Sequence, residues 1–275
     1  PPGRMAAVMG SGAREAFEVF LDAAELGGLR RIGTLFRSGE RTDLPASFAY
    51  DRAWRESGQA FMLDPRLDLW DGEQHPPAPS AAFGIFMDSA PDRWGRVLME
   101  RREAAAAMRE NRKVRTLQEL DFLLGVHDIA RMGALRFRRA DGPFLDDSAN
   151  AAPPVASLKE LAYISRRIEE SGVESLPGYE QWLATLVVPG SSLGGARPKA
   201  SFTEGTGGLW IAKFPACNDR YDVGGWEYLA HQLAASARID VPPARPEYFT
   251  EAHTTFCAAR FDRLGDRRRM FASAM

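Results

Sequence analysis

Two cysteines, four histidines and four lysines are a thin chemical inventory for a chain of 275 residues. Cys217 and Cys257 make no metal-ligand spacing and fit a reducing compartment as small buried apolar residues. His75, His127, His231 and His253 are isolated from one another, which suits surface or packing roles. No apolar run approaches the ~18 residues needed to span a bilayer. The stretch from Met5 to Met9 is too short for the apolar core of a signal peptide. A formal net charge of -2 gives no global case for binding nucleic acid or a membrane surface. These absences predict a cytoplasmic protein. Hydrophobic residues at 45% and charged residues at 26% are ordinary for a globular chain, and the length allows two domains.

With only four lysines, 31 of the 35 basic residues are arginine. Against that background Lys199 and Lys213 both fall within one feature-rich stretch, residues 187–215. It holds a glycine-rich loop, Gly190 to Gly195, then Arg197 and Lys199. A hairpin turning at Gly205-Thr206-Gly207-Gly208 follows, and then an apolar strand carrying Lys213. Glycines let the backbone approach a polyanion, and successive N–H groups in such a loop cradle phosphate oxygens. A lysine on a neighbouring strand adds a compact positive charge. The Walker pattern does not fit. Gly190 and Gly195 have the right separation, but Ala196 and Arg197 follow instead of lysine and serine or threonine. A loop, a hairpin and a strand lysine follow protein-kinase logic more closely.

Elsewhere the pattern is mixed α and β. Alternation in residues 15–37, broken at Leu26-Gly27-Gly28, predicts a hairpin. Phe48 and Tyr50 suggest a further strand, and Asp64 to Pro79 reads as loop. Pro91-Asp92-Arg93-Trp94-Gly95-Arg96 leads into a helix from Val97 to about Arg109, and fixes a turn and a packing contact. Thr116 caps a helix through Leu117, Leu120, Leu123 and Leu124. Ala134 to Phe137 is a short strand, and residues 146–156 are a linker. Ser157 and Glu160 form a capping box before a stripe of Leu158, Leu161, Ile164 and Ile168. A third helix carries the stripe Val223, Trp226, Ala230, Leu233 and Ala237, with Glu227 beside it as the natural partner of Lys213. Two strands follow, Val241 to Phe249 and Thr254 to Phe261. The run Arg267-Arg268-Arg269 reads as solvated. The boundaries place one unit at residues 10–105 and a second at 106–275.

In order along the chain, PDRWGR (91–96), RMGALRF (131–137), GGARPKA (194–200), IAKFP (211–215), WE (226–227) and RFDR (260–263) resemble the HipA family of toxin serine/threonine-protein kinases. The resemblance implies an α+β fold: a small amino-terminal α/β subdomain followed by a protein-kinase-like small lobe, with the carboxy-terminal catalytic lobe absent. It implies a phosphate-facing loop of Gly194, Gly195, Ala196, Arg197, Pro198 and Lys199. Lys213 becomes the ATP-phosphate lysine, and Ala259, Arg260 and Phe261 the hinge beside adenine. Ser192 matches the serine whose autophosphorylation silences family members. ATP and Mg2+ are the implied cofactors. The implied partners are a small DNA-binding antitoxin of HipB type and an aminoacyl-tRNA synthetase as substrate, with no direct contact to nucleic acid or membrane.

The sequence departs from that pattern in one respect. The family's catalytic aspartate, metal-binding asparagine and second metal-binding aspartate have no counterpart. After Arg263 there is only Asp266 beside three arginines, and no asparagine. Phosphoryl transfer needs those groups. The chain alone is therefore expected to be inactive, with no catalytic residues and no metal ligands of its own. The expected state is the front part of a longer kinase, cut at Met275. The alternative is a non-catalytic binding module that engages an antitoxin or a companion kinase subunit. A further alternative is a loop that holds some other phosphate ligand, such as a nucleotide effector.

Overall fold

Residues 14–37, 45–145, 158–190, 195–204 and 208–273 are described by the computed structural model. The alternation near the amino terminus folds as two long antiparallel strands. β1 (Glu15–Ala23) buries Phe17, Val19 and Leu21, and β2 (Gly28–Arg37) returns with Ile32 and Leu35 inward. Between them Gly27 adopts φ 73°, a left-handed backbone that a β-carbon disfavours. β3 (Ser47–Tyr50) and β4 (Glu73–Gln74) extend the sheet beyond β2. α1 (Arg52–Arg55) and α2 (Gly84–Met87) are single turns.

α3 (Arg93–Arg109) begins earlier than the expected Val97, because Asp92 caps it. The Asp92 Oδ1 accepts from the Gly95 N–H at 2.8 Å. α4 (Glu119–Leu124) is capped by Gln118, not by the expected Thr116. The Gln118 N–H donates to Asp121 Oδ2 at 2.8 Å, and this reciprocal box outcompetes the lone threonine. β5 (Leu135–Arg138) turns Leu135 and Phe137 inward and pairs with the side of β1 opposite β2.

α5 (Leu158–Ile168) buries the whole expected stripe, and α6 (Tyr179–Gly190) packs on α3. A second sheet follows from β6 (Lys199–Glu204), β7 (Gly208–Lys213), β8 (Ala244–Glu247) and β9 (Thr255–Ala259). Its order is β6-β7-β9-β8, all antiparallel, with β6 and β8 at the edges. α7 (Val223–Ser236) lies on β8 and β9. The expected linker at 146–156, Ser157 of the capping box and the turn at 205–207 fall outside the described residues.

Two apolar cores result. The first gathers Phe17, Phe48, Phe86, Leu123 and Phe137, and the second gathers Trp94, Leu98, Leu161, Phe202 and Phe214. Each large side chain so buried stabilises the fold by roughly 1.5–3 kcal/mol. Packing crosses the expected boundary at residue 105. Trp94 and Leu98 of α3 belong to the second core, while Leu123 and Phe137 belong to the first.

Two short strands bind the halves together. β10 (Arg263–Leu264) and β11 (Arg267–Arg268) leave the second sheet and join the first, with Arg268 opposite Ala23 of β1. The arginine run is therefore not wholly solvated. Arg268 is buried and its Nη2 donates to Asp128 Oδ2 at 2.9 Å. Nearby, Asp262 is 1% exposed. It accepts from Arg260 Nε at 2.8 Å, Arg263 Nη1 at 2.5 Å and the Gly133 N–H at 2.8 Å. Two other expectations are corrected. Cys217 is exposed, unlike buried Cys257. The α7 stripe faces outward at Trp226, Ala230 and Leu233, because the helix meets the sheet through Gly224 instead.

Burial pushes the Asp262 carboxyl up, but Arg260, Arg263 and the Gly133 amide outweigh it and hold it below the ordinary carboxylate range. A carboxylate so lowered stabilises the fold above the ordinary value of about 3.9. That contribution fades as the pH falls through the lowered value. Asp262→Asn is expected to cost about 3–5 kcal/mol at pH 7 and to flatten the acid limb of a plot of Tm against pH. An unchanged Tm at pH 7 would show that this carboxylate does not join the two sheets.

Candidate functional site

β6 and β7 set Lys199 directly opposite Lys213. Like charges across a strand pair repel unless each has a counter-charge. Here each lysine finds its own. Lys213 pairs with Glu227 of α7, and Lys199 pairs with Asp92 at the head of α3.

The Lys213–Glu227 pair stays partly open, with 28% and 31% of the two side chains exposed. The Phe256 ring centroid lies 5.4 Å from Lys213 Nζ. What brings Glu227 within reach is the start of α7. Asp222 caps the helix by accepting from the Gly225 N–H at 3.1 Å, and it also accepts from the Thr254 N–H at 2.7 Å and the Thr254 hydroxyl at 2.6 Å. Gly224 sits so near the same residue that a β-carbon there would stand 2.0 Å from the Thr254 carbonyl oxygen. The missing side chain thus sets the distance between α7 and β9, and with it the reach of Glu227.

Lys199 is the opposite case, at 1% exposure. Besides pairing with Asp92, its Nζ donates to the Gly195 carbonyl at 2.8 Å. Trp94 Nε1 donates to the Lys199 carbonyl at 3.2 Å. Burial pushes the Lys199 ammonium down more than Asp92 lifts it. Burial likewise pushes the Asp92 carboxyl up more than Lys199 and the helix amides lower it. Both shifts disfavour the charged forms, which is the desolvation cost of taking an ion pair out of water.

The other expected site residues divide. Gly195, at φ 104°, and Ala196 are exposed at the exit of the glycine-rich loop. Arg197 turns to Asp219, with Nη1 to Oδ1 at 3.1 Å, and Asp219 also accepts from the Ala216 N–H at 2.9 Å. Pro198 is buried and its carbonyl accepts from the Phe214 N–H at 2.8 Å. Ser192 and Gly194 lie outside the described residues. Ala259 ends β9, and its N–H donates to the Pro243 carbonyl at 2.8 Å. The Arg260 side chain is turned away into the Asp262 cluster, where Nη1 donates to the Ala130 carbonyl at 2.7 Å. Phe261 is 53% exposed and meets Phe271 edge-on at 5.6 Å. The structure thus pairs Lys213 with Glu227 and sets it opposite Lys199, while Lys199 and Arg197 turn to Asp92 and Asp219.

Asp92 and Asp219 are the residues that sequence reasoning missed here. Asp92 is legible as a helix cap, but its bond to a lysine 107 positions later leaves no local signal. Beside Glu227, Tyr221, Val223 and Trp226 line an open hollow of about 590 Å³. Chemically, the exposed loop amides and a half-open ammonium suit anionic oxygens, and the hollow suits a flat apolar group. Among the described residues, no group of three or more His, Cys, Asp or Glu is placed to hold a metal ion, and no helix is long and apolar enough to cross a membrane.

Comparison with known proteins bears on this geometry. The family model described as the HipA-like C-terminal domain matches residues 191–275. No curated protein matches the sequence. Among solved structures, HipA in the Shewanella oneidensis MR-1 complex of HipA, HipB and operator DNA matches with a TM-score of 0.53 and 18% identity. The match covers 93% of this chain and 53% of that one, so the chain spans about half the length of that relative. The shared fold is mixed α and β, as the sequence led us to expect.

Gly224→Ala is expected to destabilise the protein by about 1–3 kcal/mol, because the added carbon collides with backbone that cannot move aside. Thermal or urea unfolding measures it. A variant as stable as the parent would show that α7 can shift freely on β9.

Proposed function

We propose that this HipA-like chain is the nucleotide-gripping portion of a serine/threonine-protein kinase toxin of a type II toxin–antitoxin system. The observation that carries the reading is the Lys213–Glu227 pair across β7 and α7, next to the exit of the glycine-rich loop. In protein kinases a strand lysine, steadied by a helix glutamate, holds the phosphates of ATP beneath a glycine-rich loop. The order of loop, hairpin, strand lysine and helix glutamate is the same here.

In this reading Glu227 keeps the Lys213 ammonium extended toward the open side, and the phosphate oxygens take over part of its hydrogen bonding. Residues 194–199 cover the phosphates, with the amides of Gly195 and Ala196 as donors. Ala259 and Phe261 flank adenine, and Arg260 contributes only its backbone, since its side chain is committed elsewhere. Ser192 is the site of silencing autophosphorylation. Mg2+ serves the transfer step in kinases, but the described residues gather no ligand set for it, and we assign no step through it. The catalytic aspartate is assigned to no residue of this chain. The partner is an antitoxin of HipB type, by analogy with the complex that holds the solved relative. The substrate of the complete kinase is an aminoacyl-tRNA synthetase, as the family resemblance implies.

One observation favours the second reading, a non-catalytic module that engages an antitoxin or companion kinase subunit. Trp226 and Leu233 of α7 stand 62% and 61% exposed, an apolar face suited to a protein partner.

ATP binding separates the two. Lys213→Ala should weaken binding of a fluorescent ATP analogue about tenfold or more, a loss of at least ~1.4 kcal/mol. It should leave Tm nearly unchanged, since a half-exposed ion pair contributes only about 0–1 kcal/mol to folding. Equal affinity of parent and variant would overturn the ATP reading.

A further inference from the structure

We propose that Asp92, at the head of α3, is a positioning residue for the Gly195–Ala196 peptide and acts through Lys199. This inference rests on the reading of residues 195–199 as phosphate-facing, and it gives Lys199 a different task from the one its place there suggests. A lysine that touches phosphate must present its ammonium to solvent or ligand. Lys199 is 1% exposed, and at least two of its three donors point inward, to Asp92 and to the Gly195 carbonyl.

The consequence lies in the peptide between Gly195 and Ala196. It is trans, because the only cis bond among the described residues is Ala78-Pro79. In a trans peptide the C=O and N–H point in opposite directions. Drawing the Gly195 carbonyl inward to Lys199 therefore turns the Ala196 N–H outward, to the side where both residues are exposed. Gly195, at φ 104°, has no side chain of its own to fix that orientation. The fixing comes from the ammonium, and the ammonium is fixed in turn by Asp92. Asp92 itself is rigid, since its other oxygen caps α3. Trp94, two residues on, grips the Lys199 backbone by its indole N–H. The PDRWGR segment thus reaches across 107 positions and aims a loop amide.

Asp92→Asn keeps an oxygen for the Gly95 cap but leaves the buried ammonium without its counter-charge, and its Tm should fall. Asp92→Asn with Lys199→Met removes both charges and should recover most of that Tm. Hydrogen exchange without nucleotide and titration with a fluorescent ATP analogue are then measured on parent and double variant. The expected result is exchange about tenfold faster or more in residues 195–198, unchanged exchange in α5, and analogue affinity about fivefold weaker or more. Asp92→Glu, which keeps the charge, should restore the parent's affinity in part. A double variant with recovered Tm, parental loop exchange and parental affinity overturns the proposal and leaves the pair as packing only. Faster loop exchange in a protein whose parent binds no ATP supports the loop anchor and removes the ATP reading, so the two failures are distinguishable.

Discussion

The relation between the two sheets depends on one carboxylate shut away from water. Asp262 is held by Arg260 and Arg263, and those same guanidinium groups reach the backbone of residues 129–131 on the first half of the chain. The Gly133 amide closes the cluster. An ionised group in such a place is tolerated only when its lone pairs are taken up, and here they are. Because Arg260 follows β9 directly, and β9 pairs with β7, the strand that carries Lys213 inherits its position from this cluster. On the far side of the sheet Lys199 of β6 is tied to α3. The lysine-bearing hairpin is therefore fastened at both flanks to elements from the amino-terminal part of the chain.

That fastening explains which features the sequence disclosed. The hairpin of β1 and β2, the α5 stripe and the short strand β5 rest on periodicity, and a short window contains all the information. The reach of Glu227 to Lys213 was also legible, because only fourteen positions separate them and the kinase order of elements suggested it. The roles of Arg260, Arg268 and Lys199 were not legible. Each is a charged side chain whose burial depends on a partner far along the chain, and composition gives such residues every reason to be solvated. The α7 stripe failed for a related reason. Helical periodicity finds an apolar face but does not say whether anything covers it, and Gly224 offered no apolar signal for the face that meets the sheet.

The two lysines show how one local pattern serves two physical tasks. They face each other across a strand pair, yet one is desolvated and the other half open. A desolvated ammonium is a poor candidate for transient contact with a ligand, because moving it costs the bonds that made its burial tolerable. An ammonium at the surface exchanges partners cheaply. Position relative to α3, not residue type, decides which of the two is buried.

One edge strand of the second sheet has a further consequence. β8 is preceded by Pro242 and Pro243 and contains Pro246. Proline has no amide hydrogen, so this rim is short of the donors that an incoming strand would need to zip onto it. Arg245, engaged with Glu204 and Glu247, adds charge along the same border. Copies of the chain crowded together are thereby discouraged from merging their sheets side by side into fibrils at β8, whatever else they bind.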